Sequence, residues 1–224
     1  PVPIARVADD ALTFVDLSGY HTFFSDLDSL FPEEMMRAKG RGPLALSRGA
    51  ERKTLVVHTV GSFEASYVPS LADFDRLDPR FRLPAEIWEQ RPEYQDFGFA
   101  VFKLRKGKKK AIHPMAFRFE TRDEQALFFP TLHVHDGALH DRADFDHALF
   151  YQAPTGAKAV LGDAAEAPFW LRSSEVPAEQ GVDIGRALGA VAPGEPVFKW
   201  ALRGLLPNRD ARILLDPQPR RDAL

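Results

Sequence analysis

Residues 131–135 alternate, Leu132 and Val134 interleaving with Thr131, His133 and His135. A period of two marks a half-buried strand, so the two imidazoles share one face and the two aliphatic side chains the other. Asp136-Gly137 is a strong turn signal. It returns the chain so that His140 approaches the first two histidines.

The same reading places other strands at 11–17, 54–60, 62–68, 97–102, 112–120, 145–151, 169–176 and 196–202. Residues 97–102 are apolar on both faces and predict a central strand covered on both sides. Lys106-Gly107-Lys108 turns the chain, and 112–120 returns as its predicted hairpin partner. Helical spacing puts Phe23, Leu27 and Leu30 on one face. Residues 71–77 and 85–89 read as short helical patches broken by prolines. A helix over 178–191 carries the stripe Ile184, Leu188 and Val191, with Gly181, Gly185 and Gly189 four residues apart. Such glycines let a helix approach another backbone closely, and a homo-oligomer pairing through this helix is one expectation. These elements predict an α+β fold, a single domain over 1–224 built on a mainly antiparallel, Phe-rich β-sheet with short flanking helices. Residues 39–53 read as a flexible loop, and 153–168 as a connection to a C-terminal strand-helix-strand segment. The expected core draws on Phe99, Val101, Met115, Phe117, Phe119, Leu132 and Val134.

Composition narrows the function classes. The chain contains 18 Phe against four Tyr and three Trp, so the interior is expected to be packed with rings that need no polar partner. The formal net charge of -3 argues against a dedicated nucleic-acid binder, which needs a basic field. The absence of cysteine removes disulfides, thiolate metal sites and cysteine nucleophiles. No apolar run reaches the ~20 residues that a membrane helix requires. A soluble protein is expected, cytoplasmic or exported after removal of a signal that this sequence does not contain.

Two clusters carry candidate chemistry. Five of the seven histidines, at 113, 133, 135, 140 and 147, fall within one third of the chain. His133, His135 and His140, with His113 as a fourth, are the candidate ligands of a divalent transition metal such as zinc, which takes three or four imidazole or carboxylate donors. Asp136 and Glu120 are the candidate proton carriers if that site is catalytic, in hydrolysis or in oxidation. The same residues are compatible with a metal-free polar pocket, or with imidazoles facing solvent and a hydrogen-bonded core His113. The second cluster is the basic tip Lys103, Arg105, Lys106, Lys108, Lys109 and Lys110, six cations in eight residues. It suits an anion or a protein partner in a non-catalytic binding or assembly module, or simply a solvated hairpin end. The acidic run at 73–78 lacks the glycine and terminal glutamate of a calcium loop and reads as a solvated helical face. Neither a G-x-S-x-G elbow nor a phosphate-binding glycine loop occurs.

Overall fold

The structure, a computed structural model, describes residues 1–31, 55–82, 85–105, 112–134, 138–153, 158–161 and 171–215. The expected loop at 39–53, most of the basic tip, and His135 with Asp136-Gly137 lie outside the described residues. The fold is mostly antiparallel β-sheet with few short helices, as the alternation predicts. The chain forms two compact units, one of residues 1–122 and 174–197, the other of 123–173 and 198–224.

The first unit is layered. Strand β1 (Leu12–Asp16) pairs with β5 (Met115–Phe119), Phe14 standing opposite Phe117. A second sheet has the order β2-β3-β4, formed by Val57–Val60, Phe63–Val68 and Phe99–Leu104. Gly61 and Ser62 make the turn between β2 and β3. Period two assigns each strand two faces. One face of β2-β3-β4 meets the β1–β5 ribbon through rings: Phe14 lies edge-on to Phe102 at 5.3 Å, and Phe102 stacks on Phe117 at 6.1 Å. The other face is covered by short helical segments. Phe99 sits among Phe74 at 4.9 Å, Trp88 at 5.1 Å and Tyr94 at 6.4 Å, with Trp88 on helix α2 (Ala85–Glu89). Helix α1 (Phe23–Ser29) buries Phe23 and Leu27, the face its spacing predicts.

Three expectations need correction here. The partner of β4 is β3, and β5 pairs with β1. Residues 97–102 and 112–120 therefore meet face to face through Phe102 and Phe117, not edge to edge. Alternation fixes which face is apolar and leaves the hydrogen-bonding neighbour open. In consequence β3, buried at five of its six positions, is the central strand, and Met115 and Phe119 are exposed.

The helix expected over 178–191 is also absent: a 3₁₀ turn at Ala178–Gln180 is followed by irregular turns. Leu188 at φ 50° and Gly189 at φ 84° occupy the left-handed region, which an α-helix cannot contain. The segment is held by side chains instead. Tyr20 accepts the Asp183 N–H through its hydroxyl at 2.8 Å, and Arg186 lies over the Tyr20 ring at 4.4 Å. Arg118 donates to the Leu188 carbonyl. Gly181 has a packing reason of its own, since a Cβ there would come within 2.7 Å of the Leu30 side chain.

The second unit is built from the long strand β7 (Arg142–Tyr151) with β10 (Pro196–Pro207), and from β6 (Ala126–Phe129), β11 (Ala211–Leu214) and β8 (Lys158–Leu161) in the order β6-β11-β8. Strand β9 (Leu171–Pro177) lies beside β10. β8 falls within the expected connection at 153–168, and β11 follows the strand expected to be last. Along β7 the burial alternates, with Ala143, Phe145 and Tyr151 inside and Arg142, Asp144 and Asp146 outside. These side chains pack with Trp200, Leu202, Ala211 and Ile213 into one core.

Truncating the ring at the middle of the first unit tests this layering. Phe99→Ala is expected to cost about 3–5 kcal/mol, the usual range for a buried aromatic. Chemical denaturation checks it, and a loss under about 1 kcal/mol would contradict the packing described.

Candidate functional site

The site begins with the inner face of β7. Phe145 and His147 are two residues apart and therefore point the same way, into the second unit. The segment 131–134 runs alongside them, and the His133 ring stacks on Phe145 at 4.6 Å and 19°. His147 meets the same phenyl ring at 5.5 Å and 60°. Phe145, 2% exposed, thus supports both imidazoles. The two rings meet at their Nε2 atoms, 2.9 Å apart. At that separation one Nε2–H donates and the other Nε2 accepts through its lone pair.

What holds His133 there is not a strand ladder. The strand expected over 131–135 is not formed: His135 lies outside the described residues, and residues 131–134 lie outside the named strands. Their backbone groups are met by side chains from the three-residue corner between β10 and β11. The Asn208 carboxamide accepts the His133 N–H at 2.7 Å and donates to the His133 carbonyl at 2.8 Å. It also donates to the His140 carbonyl at 2.9 Å. Asp210 accepts the Leu132 N–H through Oδ1 at 3.1 Å. Thr131 donates its hydroxyl to the Arg209 carbonyl at 3.0 Å and accepts the Ala211 N–H at 2.9 Å. Asn208 and Thr131 are 2% and 3% exposed, so these bonds replace water rather than compete with it.

The sequence-predicted residues separate. His133 is in the pair. His140 is tied to the same corner through its carbonyl. His113 belongs to the first unit, where it is buried and spends both ring nitrogens on backbone. Its Nε2 accepts the Ser62 N–H at 2.8 Å, and its Nδ1 lies 2.8 Å from the Pro114 carbonyl. This fixes the Nδ1–H tautomer and leaves no lone pair for a metal. Glu120 is exposed in the first unit at the end of β5, its carbonyl accepting the Ala5 N–H. Among the described residues, no group of three histidine or carboxylate side chains is placed to hold an ion. Of the basic tip, Lys103 lies over the Phe81 ring at 5.6 Å, and Arg105 donates to the Gly61 carbonyl at 3.4 Å. Lys106, Lys108, Lys109 and Lys110 lie outside the described residues. In the acidic run, Asp73 accepts from the side chains of Ser70 and Arg76, each at 2.8 Å, within its own turn.

Two members of the site carry weaker sequence signals. His147 is the inward position of an alternating strand, two residues beyond Phe145, and that pattern alone marks an imidazole on an apolar face. Asn208 follows a proline and reads only as a turn residue. Its role depends on which segment passes the turn.

No family model, curated protein or solved structure matches this chain. No helix among the described residues is long and apolar enough to cross a membrane.

Two measurements test the surroundings of these histidines. At Gly61, φ is 53° and an added Cβ would lie 2.1 Å from the His113 Nε2. Gly61→Ala should therefore destabilise the protein by more than about 1 kcal/mol, read as a lower thermal midpoint. Tyr151 ends the same inner face of β7, and burial pushes its phenol up to about 12. Burial does the same to Tyr67 in the first unit, also to about 12. An unfolded tyrosine ionises near 10. The unfolded chain then loses these protons first, so stability is unaffected below about pH 10 and falls between about 10 and 12. Absorbance titration at alkaline pH, with unfolding followed in parallel, reads both effects.

Proposed function

We propose that the second unit binds a divalent transition metal, zinc being the type case, through the imidazoles of His133 and His147. The observation that carries this reading is the approach of two Nε2 atoms to 2.9 Å on an apolar support. Two nitrogens on one tetrahedral zinc ion, each at 2.0–2.1 Å, stand about 3.3 Å apart. Opening the pair by a few tenths of an ångström, with the Nε2 proton moving to a ring Nδ1, converts a hydrogen bond into two ligands. Water suits the remaining open positions of such an ion. A metal in that position would polarise bound water or dioxygen, which is the chemistry a hydrolytic or oxidative site needs.

Tag-free protein is dialysed against zinc or cobalt(II) and the bound metal is measured. One ion per chain is expected, lost in the double variant His133→Ala and His147→Ala while the circular dichroism is retained. Equal loading of the double variant, or no loading of the wild type, rejects the proposal.

A further inference from the structure

We infer that Asn208 is the positioning residue of the paired imidazoles, a role that rests on the metal reading only for its consequence and not for its geometry. The segment at 131–134 lies outside the named strands, and the backbone N–H and carbonyl of His133 both bond to one side chain of the β10–β11 corner. One carboxamide supplies both, at 2.7 Å to the N–H and 2.8 Å to the carbonyl. This is the bonding pattern of a neighbouring strand residue, provided by a side chain. The second amide proton reaches the His140 carbonyl at 2.9 Å. The Asn208 backbone N–H is itself anchored on the Asp141 carbonyl at 2.9 Å, the residue just before β7. Asn208 therefore links the segment that carries His133 to the start of the strand that carries His147. The His133 side chain has one remaining freedom, rotation about its own bonds, and stacking on Phe145 limits that.

No other residue type meets these demands. Aspartate keeps the acceptor for the His133 N–H but loses both donors and turns a negative charge toward two carbonyl oxygens. Glutamine keeps the bonding groups and moves them one methylene outward. Serine cannot reach three partners. The neighbouring tethers, Thr131 and Asp210, hold the same segment at other residues and leave the His133 peptide groups untouched.

The test uses ¹⁵N-labelled full-length chain without metal, and reads the scalar coupling between the two Nε2 atoms across their hydrogen bond. Zinc affinity is measured on the same samples. Wild type should show the coupling. Asn208→Asp should fold, lose the coupling, and bind zinc roughly 10–100-fold more weakly, the range typical of residues that orient a ligand. Ile213→Val, a core change on β11, serves as the control: it should lower the thermal midpoint and keep both signals. If Asn208→Asp does not fold, Asn208→Gln is read in its place. Retained coupling and retained zinc affinity in the folded Asn208 variant would overturn the inference and leave Asn208 a merely stabilising residue. Absence of the coupling in wild type would overturn it as well. Coupling present in wild type and lost in the variant, with no zinc bound by either, would uphold the positioning role and remove the metal.

Discussion

A buried peptide group must find a partner, and that constraint organises the second unit. Its chain turns from β10 to β11 in only three residues, Asn208 to Asp210. The segment at 131–134 passes this corner outside the named strands. Were its N–H and C=O groups left unmet, each would cost on the order of 1–3 kcal/mol. The corner meets the Leu132 and His133 groups with a carboxylate and a carboxamide, and the Thr131 hydroxyl of the segment in return meets the Arg209 carbonyl and the Ala211 N–H. The placement of His133 on Phe145 and against His147 follows from where those bonds fix its backbone.

The first unit satisfies the same constraint by more ordinary means, with strand ladders and turns, and its specificity lies in rings. Phe14, Phe102 and Phe117 join two sheets on one side of β3, while Phe99, Phe74 and Trp88 join sheet to helical segments on the other. Edge-on contacts predominate, as expected for aromatic quadrupoles packed in a dry interior. His113 takes part in this packing, its ring lying edge-on to Phe63 at 5.2 Å with both nitrogens bonded to backbone. An imidazole used in this way is a polar core residue. The contrast with the half-buried His133 and His147, which spend their Nε2 atoms on each other, separates two uses of histidine within one chain.

Much of this was legible in the residues. The strands at β1, β2, β3 and β7, the α1 stripe of Phe23 and Leu27, and the short helical patches follow from periodicity and proline placement. The Phe-rich interior follows from composition. Alternation along β7 points His147 to a definite face, whereas the strand expected at 131–135 is not among the strands formed. What misled was proximity in sequence. Residues 97–102 and 112–120 invite a hairpin, yet β1 takes one edge and β3 the other. Three regularly spaced glycines invite a helix, yet Gly189 and its neighbour Leu188 adopt positive φ while Arg118 and Arg186 hold the loop.

The sequence by itself determined which side chains share a face, because the two-residue period of a strand is a local property of the backbone. It also determined that no thiol chemistry is available. Only the tertiary structure decided which faces and edges meet, since those pairings join residues tens of positions apart and depend on the whole set of competing partners. His133 and His147 are 14 residues apart, and His133 and Asn208 are 75 apart. Local spacing cannot encode a hydrogen bond across such distances. The corner that makes it, and with it the paired imidazoles, exists only once the strands on either side have found their neighbours.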